Sequence, residues 1–114
     1  MVGYSFEEIE EYLLAKPNSF KDHPFGPEVA VYKVKLKGGE ESKMYALIAE
    51  GKDPVRLSLK CDPALAELLR EKYETVMSGY HLNKQHWNTI VCSGQLSLDE
   101  LKELMDLSYR LVSE

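Results

Sequence analysis

The side chains able to do chemistry gather in one stretch, Ser78 to Val91, SGYHLNKQHWNTIV. It holds two of the three histidines, the single tryptophan, two of the three asparagines and Lys84. Four chemistries compete for it. His81 and His86 are five residues apart, as are Asn83 and Asn88. On a strand that spacing points the two members to opposite faces, and no carboxylate stands nearby, so a metal-ligand set is not formed. Nucleophilic catalysis lacks its signatures. There is no GxSxG, GxGxxG or P-loop, and neither Cys61 nor Cys92 sits in a basic run. General acid–base work by His81 or His86 needs a pocket to act in. Nucleic-acid contact needs basic groups for phosphates, amides and imidazoles for hydrogen bonds, and aromatic rings. Lys33, Lys35, Arg56, Lys60, Asn83, Lys84, His86, Trp87 and Asn88 supply all three types.

The elements that must position these residues follow from periodicity. Ser5-Phe6-Glu7-Glu8 is a capping box, and Phe6, Ile9 and Leu13 predict a helix from about Ser5 to Lys16. Residues 18–28, with two X-Pro bonds and Gly26, read as an irregular connection. Val29–Lys37 alternates, with Ala30, Tyr32, Val34 and Leu36 inward and Lys33, Lys35 and Lys37 outward. Lys43–Glu50 is apolar on both faces, as an interior strand would be, and offers Tyr45 or Met44 to the basic face. Val55–Cys61 alternates again, with Arg56, Ser58 and Lys60 outward. Short glycine turns between these strands predict an antiparallel meander.

Asp62-Pro63 is a helix start, with Asp62 as N-cap and Pro63 at the first helical position. Leu65, Leu68 and Leu69 form its apolar stripe, and Tyr73 lies near its end. Trp87–Val91 reads as a strand. Ser97-Leu98-Asp99-Glu100 is a second capping box, opening a long amphipathic helix marked by Leu101, Leu104, Met105, Ser108, Leu111 and Val112. Leu57, Leu59, Leu101, Leu104 and Leu111 are expected in one core. The fold class is therefore α+β in two layers: an antiparallel sheet with helices on one face, in the order α-β-β-β-α-β-β-α. Residues 1–114 read as a single domain.

Composition bounds the rest. The 114 residues are 44% hydrophobic and 29% charged, a balance that builds one soluble core. No apolar run reaches the ~20 residues of a membrane span, and the acidic N-terminus lacks a signal peptide's basic region. A cytoplasmic protein with two reduced, buried thiols is expected. The formal net charge is −5, yet residues 29–60 carry seven basic side chains against four acidic ones. Overall acidity argues against tight nonspecific polyanion binding, while the basic middle permits weak contact.

Several runs resemble the MmcQ/YjbR family. They are Lys60-Cys61-Asp62-Pro63, Tyr80-His81-Leu82-Asn83-Lys84, His86-Trp87-Asn88-Thr89 and Ser108-Tyr109-Arg110-Leu111-Val112. His23-Pro24-Phe25-Gly26 and the Lys43-Met44-Tyr45-Ala46-Leu47 strand fit as well. The resemblance covers nearly the whole chain. It implies a fold like that of CyaY and frataxin, and DNA binding through a double-wing arrangement of strands and loops. The iron role of frataxins is not implied, because no acidic ridge matches. The expected function is thus non-enzymatic DNA binding, with no cofactor and no metal. Weak backbone contacts would come from the basic sheet face and the 80–89 segment. The alternatives are a module binding a protein partner or a small anionic ligand at the same polar region, and an activity using His81 or His86.

Overall fold

The computed structural model describes residues 4–79 and 82–113. Helix α1 (Phe6–Leu14) opens with the expected capping box, the Ser5 hydroxyl accepting from the Glu8 amide and the Glu8 carboxylate from the Ser5 amide. Asn18, at φ 62°, turns the chain into β1 (Ser19–Asp22). Strands β2 (Val29–Lys35), β3 (Ser42–Ala49) and β4 (Arg56–Lys60) follow as the meander. Helix α2 (Pro63–Lys72) starts on the Asp62 cap, whose carboxylate accepts from the Ala64 and Leu65 amides. Strands β5 (Val76–Ser78) and β6 (Trp87–Val91) precede α3 (Leu98–Ser113). The second capping box is also formed, between Ser97 and Glu100.

The six strands form one antiparallel sheet in the order β1-β2-β3-β4-β6-β5. The architecture is the α+β fold read from the sequence, with one added strand. Ser19–Asp22, expected to be irregular, pairs with Val31–Val34 at the sheet edge. All three helices cover one face. Ile9 and Leu13 of α1, and Leu101, Met105 and Val112 of α3, pack on Ala30, Tyr32, Ile48, Leu57 and Ile90 of the sheet. Leu69 and Tyr73 bring α2 into the same core.

A β-bulge interrupts the β2–β3 register. Tyr32 pairs with Ala46 but Lys33 with Met44, so Tyr45 is the extra residue. The bulge turns Tyr45 into the helix-side core, where its hydroxyl donates to the Leu13 carbonyl at 2.9 Å. Of Tyr45 and Met44, it is therefore Met44 that faces the open side. The bulge also ends the β3–β4 ladder at Ala46–Leu59. Ser108 of α3 fills the gap: its buried hydroxyl donates to the Tyr45 carbonyl at 2.5 Å and accepts from the Lys60 amide at 2.9 Å. Two buried backbone groups that the ladder leaves over are thus satisfied.

Two apolar expectations are corrected. Leu111 is not in the core but 48% exposed, because the buried stripe of α3 runs Leu101-Met105-Ser108-Val112 and Leu111 lies to one side of it, on a cleft. Leu68 is 59% exposed, since α2 buries only Ala66 fully and leans on the sheet through Leu69.

Candidate nucleic-acid interface

Register places the nine candidate residues. On the open face, Phe20, Lys33 and Met44 form one cross-strand row, and Lys60 and Trp87 pair across β4 and β6. The next row runs Asp22, Val31, Leu47, Ser58, Thr89 and Met77. Its centre is apolar. Val31, Leu47 and Trp87 are buried there, with Val29, Met44 and Leu82 packed against them. The open face is thus no uniform lysine surface: the segment that returns the chain from β5 to β6 lays Leu82 over its middle. Gly79 permits the fold-back. A Cβ on it would stand 2.9 Å from the Trp87 Cβ and 3.2 Å from the Leu82 Cβ.

Antiparallel order brings the C-terminal ends of β2 and β4 and the N-terminal end of β6 to the same end of the sheet. Lys33 and Lys35 arrive there on β2, Lys60 on β4, and Asn83, Lys84 and His86 on the turn before β6. Lys35 and Lys84 are exposed and Lys60 is half-buried. The Lys35 ammonium lies 5.7 Å from the centre of the Phe20 ring, a cation–π distance. Lys33 is partly neutralised by Asp22 at 2.9 Å, and that bond, with the His23 amide, holds the Asp22 carboxyl below its usual range. Arg56 does not join the group. It is level with Ala49 and Val91, four residues along β4 from Lys60 and so roughly 13 Å away.

Two of the nine face elsewhere or inward. Asn88, one residue on from Trp87, points to the helix side and is 2% exposed. Its amide donates to the Ala66 carbonyl at 3.1 Å and its oxygen accepts from Arg70 at 2.6 Å, tying β6 to α2. Trp87 lies on the open face but is 6% exposed, a core side chain more than a stacking platform. Asn83 is exposed and caps its own turn, its side-chain oxygen accepting from the Gln85 amide at 2.9 Å. The Lys84 carbonyl accepts from Arg70, and the His86 carbonyl from the Cys61 amide at 2.7 Å. This turn is fixed by backbone bonds to both neighbours. His81 lies outside the described residues.

At this end the surface is concave. A cleft of about 370 Å³ opens between the start of α2, the 82–86 turn and the end of α3. Lys60, Asn83, His86 and Trp87 line it, together with Cys61, Asp62, Pro63 and Leu111. Sequence reading named the first four but not Leu111, whose spacing matched a core position. Cys61 is buried. Burial first, then the Asp62 carboxylate, raises its thiol above the usual range, so it is a poor nucleophile at neutral pH. Burial pushes the Cys92 thiol up to about 12. Among the described residues, no group of three or more His, Cys, Asp or Glu is gathered for a metal ion. No helix among them is long and apolar enough to cross a membrane.

A six-stranded antiparallel sheet, helices on one face and a polar cleft at one end define a class of small α+β domains. The YjbR family model matches residues 14–111, and the chain belongs to that family. It is 32% identical over 106 residues to Escherichia coli K12 YjbR, covering 93% of this chain and 85% of the relative. It is 35% identical over 89 residues to Escherichia coli O157:H7 YbdF, covering 78% and 68%. A crystal structure of a Deinococcus radiodurans protein with the DUF419 domain superposes with a TM-score of 0.87 at 38% identity, covering 94% of this chain and 77% of that one. A Pseudomonas syringae crystal structure gives 0.79 at 26% identity, covering 96% and 99%.

Proposed function

We propose that this protein is a non-enzymatic DNA-contacting domain that touches the sugar–phosphate backbone with the end of its sheet. Lys35, Lys60 and Lys84 make the contacts. Lys33, already paired with Asp22, contributes less. The observation that carries this reading is topological. Three separate elements deliver these lysines to one end, while the acidic residues of α1 and α3 ride on the opposite layer, away from the open face. A chain with net charge −5 needs that separation to approach a polyanion.

Contacts of this kind position a protein on nucleic acid without reading sequence. Affinity is expected to be micromolar or weaker at physiological salt. With about three phosphates neutralised, log affinity falls with log salt at a slope of roughly −3. Fluorescence anisotropy of labelled duplex at several salt concentrations measures both. Charge reversal at Lys35 and Lys84 together reduces binding and flattens the slope, whereas Arg56→Glu, at the far end of β4, leaves both nearly unchanged. Absence of binding at low salt, or binding indifferent to the double variant, rules this surface out. Saturable binding of one small anion, unaffected by DNA competitor, would transfer the site to ligand binding.

A further inference from the structure

Backbone contact leaves the cleft unexplained. We propose that it is a subsite for one unpaired nucleobase, with Lys60 at its rim holding the adjoining phosphate; this rests on the backbone-contact reading above. Its volume, about 370 Å³, is in the range of small-molecule sites. It admits one planar ring system, and a base pair stacked within a duplex cannot enter it.

The walls suit a base. Leu111 presents a half-exposed apolar surface, and Pro63 adds a second apolar group to the lining. His86 lines the same cleft. Between them are hydrogen-bonding groups of both kinds. Both cap bonds of Asp62 go to the same oxygen, Oδ2, so among the described residues Oδ1 keeps its capacity to accept from an exocyclic amine or ring N–H. The Asn83 side chain spends its oxygen on the Gln85 amide, and among the described residues its NH₂ is left to donate to a ring nitrogen or carbonyl. Apolar ring faces flanked by edge-directed donors and acceptors are what recognition of an unstacked base requires. The turn that supplies Asn83 and His86 is already braced by Arg70 and Cys61, so little ordering is left for binding.

The test compares labelled oligonucleotides of equal length: a blunt duplex, the same duplex ending in a short unpaired tail, and that tail with abasic sites. The unpaired bases are expected to bind about tenfold tighter than their abasic counterparts, a typical gain for a base held on a side-chain surface. Leu111→Trp, which fills the cleft from an exposed wall, abolishes that difference and leaves blunt-duplex affinity and its salt slope unchanged. His86→Ala, which removes an imidazole from the cleft lining, also abolishes that difference, and stands in for Leu111→Trp if that variant folds poorly. Equal affinity for base and abasic tails, with salt-dependent duplex binding intact, overturns the subsite and spares the backbone-contact reading. A preference that survives in both folded variants overturns it too. No binding to any of the three removes both proposals.

Discussion

Asn83 and Asn88 look alike in the sequence, but their environments differ. Asn88 is buried and holds two partners on α2, one of them the charged Arg70. Asn88→Ala removes the bonds to the Ala66 carbonyl and to the charged guanidinium, so a loss of about 1–3 kcal/mol is expected by urea unfolding. Asn83 is exposed and bonds only within its turn, so Asn83→Ala should cost about 0.5 kcal/mol or less. Equal losses would mean the two positions are equivalent after all. Part of this was legible beforehand. Strand alternation through Trp87 and Asn88 requires opposite faces, so they cannot both serve one surface. The direction of each was not legible, because it depends on where the helix layer lies. Leu111 shows the same limit. Its spacing from Leu104 and Ser108 fits an apolar stripe, yet the sequence does not tell that the sheet meets Leu101, Met105, Ser108 and Val112 and leaves Leu111 at the flank.

At the level of elements, the helices were the most legible part, because each carries its own start signal in Ser5, Asp62 or Ser97. Strands that depend on a partner were less so. Ser19–Asp22 has four residues and no alternation of its own; its pairing with β2 makes it a strand. The bulge at Tyr45 was hidden in a run apolar on both faces, where an extra residue leaves no break in pattern. At the end of β5, Gly79 is closely confined. A methyl group at Gly79 meets the Trp87 and Leu82 Cβ atoms at distances real Cβ contacts scarcely show. Gly79→Ala should therefore push Leu82 off the open face, at a cost of about 1–3 kcal/mol. Trp87 is the single tryptophan, so its emission reports the shift directly. An unchanged spectrum and an unchanged urea midpoint would mean that the connection accommodates the methyl group.

For the molecule as a whole, charge follows layers and ends. The helix layer carries much of the acid, and some of it is spent internally. Asp106 pairs with Lys16 and accepts from Tyr12, and Glu10 pairs with Lys21 and accepts from Tyr32. Burial opposes ionisation of both carboxyls, but these partners outweigh it and hold them below their usual range. The lysines at the sheet end are spent less, which is why a net acidic chain keeps a basic end.

The sheet order also has a kinetic meaning. β1 to β4 pair in succession through short connections, but β6 enters between β4 and β5 only after the chain has made α2 and β5. Closing long loops before contacts reward them is slow, so the meander should assemble first and β6 dock on it later. Two matched probes separate these stages, Ile48 of β3 and Ile90 of β6, both buried. Ile→Val at either removes one methyl group, at about 0.5–1.5 kcal/mol. In stopped-flow experiments followed by Trp87 emission, Ile48→Val should slow refolding, and Ile90→Val should chiefly speed unfolding. Equal slowing of refolding by both would mean the six strands assemble together. If β6 docks last, the cleft forms last as well, since Trp87 and the turn before it complete its wall. The half-folded chain would then present the edge of β4 uncovered, making that strand the place where two copies could pair by mistake during refolding.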